Sequence, residues 1–326
     1  MLKSFHRPIH NLFLIIFFAL CCGCSSATAQ TSGKPLALPV KYDEHRFYVQ
    51  PVTKDGVILN FFTDTSGGLF LFSDVVERLK LSVQKSETKD EPDMVMLPDF
   101  KPDNAVPAPL DNGGQLYITP AASRNPMSQD WSGMLGQQWF AGRTWTFDYP
   151  NRQLLLRADG DLPKQKDAHR IALGFQTKSS GARAANFPRI QVSIDGEPID
   201  LLFDTGASTA LTDNALAALN DKRPTVRATS FITASIFEQW RKKHPQWRVV
   251  ENAEKGSGQA MIEVPQISVA GYAVGPVWFT RRADKNFHEY MSQWMDKTVE
   301  GALGGNALHY FRITVDYPRA VAVFEK

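Results

Sequence analysis

The stretch VSIDGEPIDLLFDTGA at residues 192–207 has a second copy, VTKDGVILNFFTDTSG, at residues 52–67. Each copy consists of two apolar runs joined by an Asp-Gly pair, and each leads into Asp-Thr. The turn aspartate precedes the motif aspartate by nine residues in both copies, Asp55 before Asp64 and Asp195 before Asp204. An Asp-Gly pair between apolar runs is typical of a β-hairpin turn. The sequence therefore predicts, twice, a hairpin that ends in an Asp-Thr loop.

A second pair of landmarks follows the two copies. Residues 133–136 (GMLG) lead to FDYP, and residues 301–304 (GALG) lead to VDYP. The last glycine of each quartet precedes the aspartate of Asp-Tyr-Pro by twelve residues. Matched landmarks in the same order indicate two homologous β-rich units, residues 45–157 and 170–326, joined by a polar connector at 159–169.

Helices are expected only at a few places. One helix-like segment follows each Asp-Thr loop, at residues 73–79 and 212–219. The second unit is longer, because 97 positions separate Asp204 from Gly301 against 69 between Asp64 and Gly133. An inserted helix at residues 234–244 is expected to account for part of the difference. The 20 prolines, 22 glycines and 11% aromatic residues favour strands and turns over a helical bundle.

The N-terminus has the layout of an export signal, with basic Lys3 and Arg7 before an apolar run at residues 12–20. Two cleavages compete. A lipoprotein signal peptide at residues 1–24 would place the lipid on Cys24, whereas Ala27-Thr28-Ala29 is an ordinary site with cleavage after residue 29. Both predict an exported protein, periplasmic and, in the first case, membrane-anchored. The three cysteines all lie at residues 21–24, so the chain beyond them has no disulfide and no thiol nucleophile.

Residues 203–208 (FDTGAS), followed by the GALG quartet, resemble the retropepsin-like and pepsin-like aspartic proteases. With its leader and duplicated unit, the chain is similar to a bacterial exported aspartyl protease with two tandem retropepsin-like units. This resemblance covers nearly all of the chain after the leader. It implies an all-β fold of two homologous β-barrel lobes related by a pseudo-twofold axis, with few short helices.

The same resemblance implies a catalytic pair made of Asp64 and Asp204, one from each lobe. In the family, the threonines that follow, here Thr65 and Thr205, cross-brace the two loops. Two adjacent carboxyls that share one proton divide the roles of base and acid, which is what hydrolysis by an activated water needs. The expected activity is that of an aspartic-type endopeptidase acting on a polypeptide.

The first copy departs from the family pattern at Ser66, which stands where the second copy has Gly206. A glycine allows a tight turn and close approach of the opposite loop, whereas a serine adds a Cβ. Three readings stay open: a working tandem dyad, a non-catalytic binding or scaffold protein, and a homodimeric peptidase that uses only Asp204 from each copy. A monomer with tandem lobes is the expected state.

Two further features follow from the resemblance. A substrate flap is expected at residues 255–259, with Gly256, Ser257 and Gly258 at its tip, and residues 84–92 occupy that place in the first unit. The positions three residues after each catalytic aspartate are Gly67 and Ala207, which lack the hydroxyl that many pepsin-like enzymes have there. Without this hydrogen-bond donor the carboxylate pKa is expected to be higher, which predicts a rate optimum at weakly acidic pH, about 5–6.

Other chemistries find no support in the sequence. There is no G-x-S-x-G, P-loop or G-x-G-x-x-G motif, and His288-Glu289 lacks the second histidine of a zincin. No metal and no cofactor are expected. Without Lys3 and Arg7, 34 basic residues balance 34 acidic ones, so nothing favours nucleic acid as a partner.

Overall fold

The computed structural model describes residues 34–88, 91–104 and 106–326. The predicted signal peptide, the lipidation at Cys24 and the alternative cleavage after Ala29 lie outside these residues. In the described part of the chain, no helix has the length and apolar character that crossing a membrane requires.

Strands dominate the structure, which confirms the all-β class. In the first part of the chain they are β1 Leu36–Ala37, β2 Val40–Asp43, β3 Arg46–Val49, β4 Phe61–Thr63, β5 Leu69–Phe72, β6 Val83–Gln84, β7 Met94–Met96, β8 Gln115–Thr119, β9 Gly133–Leu135, β10 Thr144–Asp148 and β11 Gln153–Arg157. They continue with β12 Arg170–Ala172, β13 Arg189–Ile194, β14 Glu197–Phe203, β15 Ser208–Ala210, β16 Val226–Ala228, β17 Ser230–Thr233, β18 Val249–Val250, β19 Met261–Val264, β20 Ile267–Val269, β21 Tyr272–Val274, β22 Val277–Arg282, β23 Gly301–Leu303, β24 Arg312–Asp316 and β25 Val321–Glu325.

The α-helices are short: α1 Ser73–Arg78, α2 Gln137–Phe140, α3 Asp213–Leu219, α4 Ala234–Lys243 and α5 Gly305–Leu308. The helices expected at 73–79, 212–219 and 234–244 are therefore confirmed to within a residue or two. Short 3-10 turns lie at Pro102–Asn104, Asn112–Gly114, Ala121–Ser123, Asp167–His169 and Met291–Trp294, and a π-helical turn at Asn286–Tyr290.

Two sheets repeat the same arrangement. The first runs β2-β3-β4-β9-β5-β8-β7-β6, and the second runs β18-β19-β22-β17-β23-β14-β13-β20-β21. In each, the strand before the Asp-Thr loop (β4, β14) is parallel to the strand of the glycine quartet (β9, β23). That strand is antiparallel to β5 or β17, which is in turn parallel to β8 or β22. A Cβ at Gly133 or Gly301 would overlap a carbonyl oxygen of the neighbouring strand, so glycine is needed where these strands cross.

The shared pairing corrects the expected position of the insertion. Leu71 on β5 pairs with Gly133, and Ile232 on β17 pairs with Gly301, so β5 and β17 are equivalent. Helices α1 and α4 directly follow these strands and are therefore counterparts, and α4 is not inserted. The extra segment is β15-α3-β16, since Leu71 follows Asp64 by 7 residues whereas Ile232 follows Asp204 by 28. Spacing in the sequence pairs α1 with α3, because both begin nine residues after the motif aspartate.

A third sheet, β1-β11-β10-β24-β25-β12, takes strands from both units. Its central strands, β10 and β24, carry the two Asp-Tyr-Pro landmarks and pair antiparallel about Thr146 and Thr314. These threonines hold the same position in the two copies, and their hydroxyl oxygens lie 2.8 Å apart. Phe147 on β10 packs against Phe203, the residue before Asp204. The shared sheet and its core therefore support the Asp-Thr loop of the second unit.

The β2–β3 turn of the first unit also contacts α5 of the second. The rings of His45 and His309 stack with centroids 4.1 Å apart. Beside them Glu44 accepts an ion-pair contact from Arg223 at 2.6 Å. Burial lowers the pKa of His45 to about 3, and burial lowers the pKa of His309 as well. The contact is thus formed by two neutral imidazoles.

We expect His45→Asn to make the protein less sensitive to acid. The folded pKa of His45 is below its ordinary value, so the unfolded chain binds more protons between about pH 6.5 and 3. Its share of stability is present at neutral pH and is lost as the pH falls. Asparagine tolerates the positive φ of 64° at this position. From pH 7 to 4.5 the free energy of unfolding in urea should fall by about 2 kcal/mol more in wild type than in the variant.

The control is His288→Asn, which removes an imidazole that contacts Glu300 away from the stacked pair. This variant should lose stability with acid as wild type does. Equal acid sensitivity of wild type and His45→Asn would contradict the account.

Candidate active site

Each motif aspartate is held by the strand of its own glycine quartet. The backbone N–H of Asp64 donates to the carbonyl of Leu135 at 3.2 Å, and that of Asp204 donates to the carbonyl of Leu303 at 3.0 Å. A Cβ at Gly136, next to Leu135, would overlap backbone atoms of the first Asp-Thr loop. The quartets therefore place both loops by backbone contacts that leave no room for a side chain.

The two loops are tied to each other through their threonines. The hydroxyl of Thr65 donates to the carbonyl of Phe203 at 2.6 Å and accepts from the N–H of Thr205 at 3.0 Å. The N–H of Thr65 donates to the hydroxyl of Thr205 at 3.2 Å. Both threonines are buried. Because these bonds join residues about 140 positions apart, they fix the spacing between the loops.

Thr65→Val should measure the strength of this brace. Valine has the shape of threonine but leaves the carbonyl of Phe203 and the N–H of Thr205 buried without their partner. We expect a loss of about 2–4 kcal/mol in the free energy of unfolding, measured by urea denaturation. The matched control is Thr63→Val, since buried Thr63 makes one hydroxyl bond, to the carbonyl of Phe47 at 2.8 Å within the same sheet. An equal loss in both variants would show that the brace between loops adds nothing.

The brace brings the carboxyls of Asp64 and Asp204 within hydrogen-bonding distance of each other. Asp204 is buried and Asp64 is half-buried. Oδ1 of Asp204 accepts from the N–H of Gly206 at 3.0 Å. Oδ1 of Asp64 accepts from the N–H of Ser66 at 2.7 Å and from the hydroxyl of Ser66 at 2.8 Å. The two carboxyls therefore form one pair with unequal hydrogen bonding.

The inequality sets where a shared proton resides. Burial raises the pKa of Asp64, and the hydrogen bonds from Ser66 oppose this effect. Burial and, after it, the charge of the neighbouring Asp64 raise the pKa of Asp204. Hydrogen bonds to a carboxylate favour its ionised form, so the two donors on Asp64, against one on Asp204, place a shared proton on Asp204 and leave Asp64 ionised.

The residues after Asp-Thr explain how Ser66 fits. Ser66 has no positive φ, so it adopts its backbone conformation without the strain of the left-handed region. Gly67 also has a negative φ; it is needed because a Cβ there would come within 2.8 Å of the Asp64 side chain. A Cβ at Gly206 would overlap the Asp64 carboxyl itself. The site therefore has room for a side chain at position 66 and none at position 206.

An open cavity of about 660 Å³ borders Asp204. Ser66 and Asp204 line it, together with Leu202, Phe231, Arg282, Lys285, Asn286, Phe287, Glu289, Tyr290, Met291 and Gln293. A larger cavity of about 760 Å³ includes neither aspartate; its Arg189 is already paired with Asp200 and Asp296. Of these two cavities, the smaller one is lined by an aspartate of the pair.

Sequence reasoning missed the wall formed by residues 283–299. Phe287, Met295 and Val299 pack against Leu202 and Ala302, beside the strand that leads to Asp204. Tyr290 and Trp294 of the same segment remain 67% and 46% exposed. The signal in the sequence is the apolar spacing of four at Phe287, Met291 and Met295.

The residues expected to form the flap do not border the cavity at Asp204. Gly256, Ser257 and Gly258 form the turn between β18 and β19, and in the described chain they line no part of the 660 Å³ cavity. Lys255 N–H donates to the carbonyl of Ala210 at 2.7 Å, which ties the turn to the inserted segment. The corresponding turn of the first unit joins β6 to β7, and residues 89 and 90 of it lie outside the described chain.

Among residues 34–88, 91–104 and 106–326, no three His, Cys, Asp or Glu side chains lie close enough together to hold a metal ion.

No protein-family model matches the sequence, and no curated protein matches it. Solved structures do. An aspartic proteinase from Irpex lacteus is similar at 11% identity and a TM-score of 0.48, over 90% of this chain and 97% of that one. Conglutin gamma, a basic 7S globulin from lupine seeds, is similar at 11% and 0.47, over 90% and 95%. A structure described as edgp is similar at 12% and 0.46, over 90% and 96%. Function therefore has to be inferred from the site itself.

Proposed function

We propose that this chain is an aspartic endopeptidase of the retropepsin-like type, with residues 45–157 and 170–326 as its two lobes. The observation that carries the proposal is the close approach of the Asp64 carboxyl to the second loop, in a pair of braced loops whose Asp204 lines an open cavity. Paired carboxyls in contact share one proton, and such a pair can act as base and acid in the same step.

The hydrolysis assigns one task to each carboxyl. Ionised Asp64 takes a proton from a water whose oxygen bonds to the peptide carbonyl carbon, while Asp204 gives its proton to the carbonyl oxygen. The intermediate carries two hydroxyl groups on that carbon. Asp64 then passes its proton to the amide nitrogen as the C–N bond breaks, and Asp204 regains a proton from one hydroxyl. Both carboxyls return to their starting states.

The substrate we propose is an extended polypeptide lying across the cavity at Asp204. The apolar side chains of Leu202, Phe231 and Phe287 offer surface for its side chains. The protein works as a monomer, since the pair forms within one chain and needs no residue from a second copy. The leader places it outside the cytoplasm, in the periplasm, with a lipid on Cys24 or free after cleavage at residue 29.

The test is digestion of a peptide library by the protein purified without its leader, with cleavage sites identified by mass spectrometry. We expect internal cleavage at weakly acidic pH that a statine-type transition-state inhibitor blocks and that Asp204→Asn lacks. Library peptides left intact from pH 3 to 7 would refute the peptidase and favour the binding or scaffold protein. Activity that survives Asp64→Asn in a dimeric sample would instead favour a homodimer built on Asp204.

A further inference from the structure

Ser66 adds to the first loop a group that the second loop lacks. Its hydroxyl donates to Oδ1 of Asp64 at 2.8 Å, onto the same oxygen that its N–H reaches at 2.7 Å. The same residue lines the cavity beside Asp204. In the second loop Gly206 supplies only its N–H to Asp204. The first loop therefore gives its aspartate a hydroxyl donor, and the second loop gives Asp204 none.

Packing allows the extra side chain in the first loop only. Ser66 is half-buried, lines the cavity beside Asp204 and has an unstrained backbone. At Gly206 the corresponding space is filled by the Asp64 carboxyl. The hydroxyl can thus be placed in the first loop alone, next to the carboxyl that accepts the larger number of hydrogen bonds.

We propose that Ser66 is a positioning residue that decides which carboxyl holds the shared proton, making Asp64 the general base and Asp204 the general acid. The proposal rests on the proposed function. An O–H donor favours the ionised form of the carboxylate to which it donates. The Ser66 hydroxyl keeps its own proton throughout the reaction and acts only through the hydrogen bond.

The other groups around the pair leave this assignment in place. Tyr149 lies close enough to Asp204, and Tyr317 to Asp64, to interact electrostatically, and both tyrosines are buried and neutral. Arg282, Lys285 and Glu289 line the cavity, and Arg282 is paired with Glu254 at 2.8 Å. Substitution at position 66 changes none of these groups.

The experiment compares Ser66→Ala and Ser66→Gly, which lack the hydroxyl, with Ser66→Thr, which keeps it. In the first two, the acid limb of the kcat/KM profile should move upward by about one pH unit, because a charge-assisted hydrogen bond to the ionised base is lost. At the wild-type optimum kcat should fall about tenfold with KM nearly unchanged, since the bond concerns the dyad and not peptide binding. In Ser66→Thr the limb should stay at the wild-type pH.

Ser208→Ala is the matched control, because the Ser208 hydroxyl donates to the carbonyl of Gly206 and not to a carboxyl. It should leave the acid limb in place. A limb that stays in place in Ser66→Ala, with the variant folded, would overturn the proposal. So would a Ser66→Gly enzyme that is faster than wild type with an unshifted limb, since Ser66 would then be an obstruction.

A readout without catalysis separates this inference from the proposed function. In protein carrying carbon-13 at the aspartate side-chain carboxyls, the two dyad signals, identified through Asp64→Asn and Asp204→Asn, are followed by NMR against pH. Asp64 should titrate below Asp204 in wild type, and its titration should move upward in Ser66→Ala. That shift without any peptide cleavage would refute the peptidase and keep the proton assignment. Peptide cleavage without that shift would support the peptidase and refute the proton assignment.

Discussion

Asp64→Asn and Asp204→Asn each lower kcat/KM on a cleaved peptide by about 10⁴-fold or more, the expected consequence of losing half of a shared catalytic unit. An amide in place of either carboxyl cannot take a proton from water or hold the shared proton. The change is isosteric, so the brace formed by Thr65 and Thr205 stays in place. Steady-state kinetics at the wild-type optimum, with thermal unfolding as the check on folding, measures the effect.

Asp55→Asn is the control for this pair. Asp55 occupies the exposed hairpin turn nine residues before Asp64, where asparagine suits the turn equally well. It should leave kcat/KM within about twofold of wild type, as surface substitutions away from the site generally do. If Asp64→Asn also stayed within this range, the first loop would be a structural relic and Asp64 would not be the base.

Gly206→Ser, which gives the second loop the residue of the first, has the second largest expected effect. The Asp64 carboxyl occupies the space that a side chain at 206 would need, so the loops must separate. We expect a loss of about 2–4 kcal/mol in the free energy of unfolding, the range of a forced overlap in a packed site. Since the carboxyls would no longer touch, kcat/KM should also fall by at least about 100-fold.

The control for the steric argument is Gly68→Ser in the first loop. Gly68 is exposed, has no positive φ, and a Cβ there would meet only the ring of Phe70 at ordinary contact distances of 3.5 Å and beyond. It should be tolerated, with both unfolding and kinetics near wild type. A Gly206→Ser protein that matched Gly68→Ser would show that the loops open freely and that the close approach of Asp64 is not needed.

Local sequence pattern was sufficient to predict several strands, turns and helices of this fold and to indicate the candidate pair of aspartates. The hairpin before Asp204 could be predicted from an Asp-Gly turn with strands on either side, and the turn has positive φ at Asp195 and Gly196, as an Asp-Gly hairpin turn requires. The helices at 73–78, 213–219 and 234–243 follow from short-range sequence patterns. The duplicated motif indicated which two aspartates to compare, because repeats keep their internal spacing.

Tertiary structure decided what depends on residues far apart in the chain. Spacing alone matched α1 to α3, whereas strand pairing with Gly133 and Gly301 shows that β15-α3-β16 is the inserted segment. The family pattern directs attention to Gly67 and Ala207, which lack a hydroxyl, whereas in the structure it is the Ser66 hydroxyl that donates to Asp64.

The cavity wall is another feature that tertiary packing decides. The resemblance predicts a flap at residues 255–259, but that turn is tied to Ala210 by a backbone bond. The wall beside Asp204 comes instead from residues 283–299, held by the packing of Phe287 and Met295 on Leu202. A sequence determines by itself the features that arise from contacts between near neighbours, here the strands, the turns and the two aspartates. The distance between those aspartates arises instead from the threonine brace between loops about 140 residues apart. The cavity wall arises from the packing of Phe287 and Met295 on Leu202, 85 and 93 positions away. Only the folded chain brings these segments together.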